Sequence, residues 1–229
     1  MLKELQSLIG LLNFTCSVIL PGRAFLHRLI DLTMGLQRPH HRIRLSKEAK
    51  ANIKVWIQFL AGFNGRPFFI DNLWVTSTTL ELFTDAASSK GYGAVFIRKW
   101  FYSSWPESWH SLNITFLEFF PIIIALHIWG LTTANKCVCF VTDNLALVEV
   151  INRQISKHKL TMLLVQDLVL TSLKHNILFQ AWHIAGVNNS CADLLSCLQV
   201  NQFKQIFPEA DEMPTQVPDN LLLKSWSLP

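Results

Sequence analysis

Charge is scarce in this chain. Only 16% of its 229 residues are Asp, Glu, Lys or Arg, against 50% hydrophobic. That balance excludes a disordered or solvating chain and leaves length for one large domain or two small ones. Regular cysteine spacing is missing as well. Cys16, Cys137, Cys139, Cys191 and Cys197 form an odd set with no fixed interval, which argues against a disulfide framework. A zinc site from Cys191, Cys197 and His183 has no ligand pair at the usual spacing. Cys137 and Cys139, two apart in an apolar run, point the same way on a strand and are expected to pack as small hydrophobes. A reducing intracellular compartment, nucleus or cytoplasm, suits such thiols. No secretory signal is visible: Lys3 and Glu4 bring charge, and Pro21-Gly22 a turn, without a small-residue cleavage site. A clean membrane run is lacking too. The nearest, "FLEFFPIIIALHIWGL" at 116–131, carries Glu118, Pro121 and His127 and falls short of about 18–20 uninterrupted apolar residues. A buried helix is expected there, and no membrane partner.

What charge there is lies unevenly. Residues 1–80 hold ten Lys and Arg against four Asp and Glu, and residues 81–229 hold ten against twelve. A basic block joined to a slightly acidic one suits a nucleic-acid contact beside a site that needs carboxylates, although a solvated helical face has the same composition.

The first third reads as helical. Residues 2–20 have helix-compatible Leu and Ile spacing stopped by Pro21-Gly22, a second piece ends near Gly35, and "QRPHHRIRLSKEAK" is basic and exposed. From Ser46, a candidate N-cap, an amphipathic helix presents Ile53, Trp56, Ile57 and Leu60 on one face. The domain boundaries expected are a helical module over 1–75, an α/β domain over 76–202 and a Pro-rich linker tail over 203–229. In the middle domain, apolar runs at 80–84, 92–97 and 100–105 predict an antiparallel meander. Asn113 or Thr115 caps an apolar helix. Then follow a buried strand at 136–143, helices at 144–153 and 159–174, a strand at 176–184 and a final helix near 190–199. Parallel pairing after the crossovers predicts a mixed five-stranded sheet with helices on both faces, the first strand beside the fourth.

Four acids stand in apolar surroundings at comparable places. Asp85 ends the first strand, Glu118 lies in the first turn of the apolar helix, Asp143 ends the fourth strand and Asp193 opens the last helix. Singly, each has an ordinary reading: a turn residue, a helix-dipole partner, two caps. Together they fall where an open sheet gathers functional groups. Clustered carboxylates repel and raise one another's pKa values, and hard divalent cations such as Mg²⁺ or Mn²⁺ relieve the repulsion. Two such ions can serve an in-line phosphoryl displacement.

The stretches "FTDAASSKGYGAVF", "NITFLEFFPIIIAL", "CFVTDNLALVEVIN" and "WHIAGVNNSCADLLS" resemble the successive motifs of type 1 ribonuclease H domains, in the form carried by retroelement reverse transcriptases. The leading helical module is similar to the thumb and connection region of DIRS-type retrotransposon polymerases. The resemblance implies an RNase H-like fold and two-metal (Mg²⁺ or Mn²⁺) hydrolysis of the RNA strand of an RNA–DNA hybrid, with Asp85, Glu118, Asp143 and Asp193 as catalytic metal ligands. It implies for His183 the place of a proton-shuttling histidine; a strand-end histidine is the other reading. Asn144 and Asn189 are expected to contact substrate or tie down loops, and Gly91 and Gly93 to serve the hairpin. Arg42, Arg44 and Lys47 lead the candidates for phosphate contact. The family's Leu-Ser-Arg ending is "LLSC" here, and no palm with paired aspartates precedes the thumb-like segment. The chain is therefore expected to be a fragment of a polyprotein that supplies palm and fingers, or a truncated or domesticated copy. The order Asp-Glu-Asp-Asp separates it from exonucleases, which place Asp-x-Glu on the first strand, and from integrases. A catalytically inert nucleic-acid-binding module is the alternative reading.

Overall fold

The change from basic helical sequence to alternating apolar runs becomes a physical division. A computed structural model describes residues 1–62, 74–76, 80, 82–218 and 221, and the chain divides into Met1–Ile70 and Asp71–Pro229.

The first unit holds α1 (Leu2–Thr15), a 3-10 turn (Leu20–Phe25), α2 (His27–Asp31) and α3 (Lys47–Gly62). α1 stops before Pro21. Thr15 Oγ1 bonds back to the Leu11 carbonyl and Ser17 Oγ to that of Phe14, the local competition that makes such residues poor helix interiors. Ser46 caps α3 as expected, its Oγ accepting from Ala49 N at 3.1 Å. The buried face of α3 differs from the expected one. Ala49, Asn52, Trp56 and Phe59 are buried, whereas Ile57 and Leu60 are 61% and 48% exposed. Trp56 sets the rotation: it lies against Gly22, where a Cβ would come within 2.2 Å of the indole, so the face is chosen by the largest side chain.

The second unit contains β1 (Trp74–Thr76), β2 (Leu82–Ala86), β3 (Gly91–Phe96), β4 (Lys99–Ser104), α4 (Ile114–Trp129), β5 (Cys137–Thr142), α5 (Leu145–Arg153), α6 (Lys159–Lys174), β6 (Leu178–His183), α7 (Ser190–Ser196) and α8 (Val200–Ile206). The meander is present: β2 pairs antiparallel with β3, and β3 with β4. β5 and β6 pair in parallel. Asp85 lies inside β2, opposite Gly93, and the turn comes later, at 87–90. It is therefore not a turn residue.

The sheet differs from the expected single five-stranded one. Its described hydrogen bonds make two three-stranded sheets, β2-β3-β4 and β1-β5-β6. The edge of β5 expected to receive β2 is taken by β1, with Trp74 opposite Cys137 and Thr76 opposite Cys139.

α4 explains the absence of any polar face in its sequence. Phe116, Phe119, Phe120, Ile122, Ile123, Ile124, Leu126 and Trp129 are all buried, because β2 and β3 pack along the helix on one side and α6 on another. Tyr92 meets Phe120 edge-on, and Phe96 stacks on Trp129. His127 and Asp167 join α4 to α6 at 2.9 Å. Among the described residues no helix is long and apolar enough to cross a membrane. On the opposite face of the meander, Val95 and Trp100 pack with Leu195 of α7 and Phe203 of α8.

The residues from 203 onward depart from the linker expectation as far as they are described. Phe203 is fully buried, and the following segment runs along β4. Asp211 N donates to the Arg98 carbonyl at 2.8 Å, Thr215 N to the Trp100 carbonyl at 2.6 Å, and Trp100 Nε1 to the Asp211 carbonyl at 2.7 Å. The prolines keep this strap irregular, while its free N–H groups satisfy an otherwise open strand edge.

Candidate active site

Asp85 is held by a strand paired with β3 and faces α7 across the bare position of Gly93. A Cβ on Gly93 would stand 2.4 Å from Leu195 Cβ and 3.2 Å from the Leu195 carbonyl carbon. This glycine serves close helix approach, not the hairpin turn expected for it. Gly91 likewise sits within β3, where a Cβ would come 2.2 Å from the Ser103 carbonyl oxygen. With α7 so near, Ser196 Oγ donates to Asp85 Oδ2 at 2.6 Å, and Asp193, in the first turn of α7, is an electrostatic neighbour of Asp85.

Burial pushes the Asp85 carboxyl above its ordinary pKa; the Ser196 hydrogen bond opposes this, and the charges of Asp193 and Asp143 add to it. Glu118 behaves similarly. Its pKa is raised from 4.5 to about 7: burial is the main cause and the charges of Asp143 and Asp85 add to it, while a hydrogen bond with the Asn144 side chain works the other way. Its Oε2 is buried without a hydrogen-bond partner. Since Asn113, not Thr115, caps α4 (Asn113 Oδ1 accepts from Thr115 N at 2.9 Å), Glu118 falls in the second helical turn rather than the first.

Asp143 follows β5 directly, and both it and Asp193 are exposed. Asp143 is overlain by the loop after β6, where a Cβ on Gly186 would meet its Oδ2 at 2.7 Å. The four acids thus form one electrostatic neighbourhood, two partly buried and two at the open side. Among the described residues no group of three or more His, Cys, Asp or Glu side chains is gathered tightly enough to hold an ion directly. The donor chemistry nevertheless fits a hard divalent cation: all oxygen, an orphaned buried carboxylate oxygen on Glu118, and like charges that raise two pKa values. A thiol or imidazole set for zinc is not what converges here.

The remaining expected residues separate. His183 ends β6, exposed, with Nε2 at 3.0 Å from the Asp143 carbonyl oxygen; its observed contact braces the Asp143 backbone. Asn144 caps α5, accepting from Leu147 N at 3.1 Å while its side chain also reaches Glu118. Asn189 is buried and donates through Nδ2 to the Thr84 carbonyl at 2.9 Å, which fits tying down a loop and leaves it no access to substrate. Arg42 and Arg44 are exposed in the irregular segment before α3, and Lys47 is exposed at the helix start. That segment is anchored where Leu2 N and Lys3 N donate to the His41 and Pro39 carbonyls.

Sequence reasoning passed over Ser196, Gly186 and the placement of Gly93. Glycine inside a strand is a recognised sign of close backbone approach and would have flagged Gly93. Nothing local distinguishes Ser196, whose partner is 111 positions away. Exposed Arg153, Lys157 and Lys159 around the α5–α6 connection were also not singled out, being only a short basic run. Neither a comparison with protein-family models nor one with curated proteins finds a match for this chain.

Proposed function

We propose that the second unit is an RNase H-like nuclease that hydrolyses the RNA strand of RNA–DNA hybrids, derived from a retroelement reverse transcriptase whose palm and fingers lie in the parent polyprotein. The observation that carries this reading is the mutual influence of four acids drawn from β2, α4, the end of β5 and α7: Asp143 raises the pKa of both Asp85 and Glu118, and Asp193 that of Asp85. Such a set, one acid from within a strand, one just after a strand and two from helices, in the order Asp-Glu-Asp-Asp, is what the ribonuclease H resemblance requires. The antiparallel β2-β3-β4 sheet and the parallel β5-β6 pair, with β2 and β5 near one another, together supply the strands of an RNase H-like fold in this reading.

Asp85, Glu118, Asp143 and Asp193 would hold two Mg²⁺ or Mn²⁺ ions. When bound, such ions supply an activated water and stabilise a leaving 3′ oxygen. The chain's own residues shape the place where this happens. Ser196 fixes one oxygen of Asp85, Asn144 reaches the Glu118 carboxylate, Gly186 leaves room for that of Asp143, and Asn189 pins the start of α7 to β2. Hybrid duplexes are recognised by shape, 2′ hydroxyls and phosphates; Arg42, Arg44 and Lys47 on the first unit, and Arg153, Lys157 and Lys159 on the second, offer cations to phosphate. The reading places the protein inside the cell, where hybrids form.

The test is incubation of the purified chain with end-labelled RNA–DNA hybrid and Mg²⁺ beside Asp85→Asn. Cleavage of the RNA strand by wild type alone, leaving 3′ hydroxyl and 5′ phosphate ends, is the expected result. No cleavage above the variant sinks the enzyme reading, and salt-dependent hybrid binding without cleavage would favour an inert binding module.

A further inference from the structure

We propose that Ser196 is a positioning residue that holds the Asp85 carboxylate in its working orientation, an inference that rests on the nuclease reading above. Ser196 is the last residue of α7 and has no solvent exposure. Its Oγ stands 2.6 Å from Asp85 Oδ2 and 2.9 Å from the Asp193 carbonyl oxygen. A serine in a helix ordinarily bonds back to the carbonyl three or four residues earlier, and Asp193 offers that carbonyl. One hydroxyl has one proton, however, and the shorter, charge-assisted contact to a carboxylate is the stronger claim on it. The Asp193 carbonyl is served instead by the Cys197 N–H at 2.9 Å.

The contact is one end of a clamp. At the start of α7, Asn189 Nδ2 donates to the carbonyl of Thr84, the residue before Asp85. At its end, Ser196 reaches Asp85 itself. Between them lies Asp193, and opposite them Gly93 presents no side chain, so Leu195 can approach the backbone. The helix that delivers one acid is thereby fastened to the strand that delivers another. Ser196 engages Oδ2 of Asp85 and the Ala86 backbone N–H also bonds to the carboxylate, so Ser196 is the side-chain part of its anchor. A carboxylate without this anchor turns about its side-chain bonds, and loss of an orienting partner at a metal site typically costs about 10–100-fold in metal affinity or activity.

Two substitutions test this in the full chain. Ser196→Ala deletes the donor, and Ser196→Cys keeps a side chain there with a weak one. The expected result for both is a fall in kcat on RNA–DNA hybrid of about 10–100-fold, with KM for hybrid unchanged and a higher Mg²⁺ concentration needed for half-maximal rate. A purely structural serine would lower melting temperature and kcat together and leave the Mg²⁺ requirement alone. Crystal structures of wild type and of either variant supply a reading that needs no activity: a changed Asp85 rotamer in the variant upholds the proposal. An unchanged rotamer, or kcat within twofold of wild type, overturns it. Should wild type cleave no hybrid, the nuclease reading fails, and the rotamer comparison still decides the role of Ser196; if the alanine variant does not fold, the cysteine variant carries the same measurements.

Discussion

Glu118→Gln is expected to make the metal-free protein more stable in alkaline solution. In the folded chain burial and two acidic neighbours move the Glu118 carboxyl from 4.5 to about 7. A carboxyl whose folded pKa is raised destabilises the fold only where the unfolded chain has released its proton. Stability is therefore untouched below about 4.5, declines from there to about 7 and carries the full deficit above. At about 1.4 kcal/mol per pH unit the deficit is at most about 3 kcal/mol. Glu118 keeps partial access to solvent, and screening reduces the figure to on the order of 1–2 kcal/mol. Glutamine matches the side chain in size, can keep a hydrogen bond with Asn144 and bears no charge. For a unit of this size each kcal/mol moves the melting point by about 2–4 °C. Melted in the presence of EDTA, the variant should rise above wild type by roughly 2–8 °C at about pH 8.5 and coincide with it near pH 4.5. Added Mg²⁺ should then stabilise wild type more than the variant, since only wild type keeps the carboxylate. An offset between the two proteins that is the same at both pH values, or a variant less stable at the higher one, would refute the electrostatic account of the site.

Two glycines separate packing from chemistry. Gly93→Ala forces a Cβ to within 2.4 Å of Leu195 Cβ, with backbone also close, and should cost about 1–3 kcal/mol in a denaturant melt, as overpacking does; an unchanged midpoint would refute the close approach. Gly186→Ala meets only the free end of the Asp143 side chain, at 2.7 Å. It should leave the melt within about 0.5 kcal/mol yet weaken Mg²⁺ binding by about 10-fold or more in calorimetry, and equal losses in both measurements would contradict that separation.

Much of this molecule is legible in one dimension, where the physics is local. The 3.6-residue and two-residue periods, with Ser46 and Asn113 at helix starts, locate most helices and strands to within a few residues, because caps and periodicity act over a single turn or strand. The chemical character of the four acids is legible too: each is a rare charge in apolar sequence. Other features depend on which surfaces meet. The buried face of α3 is set by Trp56 against Gly22, not by the most apolar stripe. Asp85 reads as a strand-end or turn residue until β3 pairs past it and puts Gly93 opposite. The described strap from 207 to 218 has the composition of a linker, and the edge of β4 orders it through Asp211 and Thr215 N–H groups. Sequence alone determined which residues could carry charge and which segments could be helix or strand. Tertiary structure alone decided that burial and mutual repulsion would raise Asp85 and Glu118, and that Ser196 would answer Asp85 from 111 positions away, because desolvation and Coulomb interaction depend on distance in space and not along the chain.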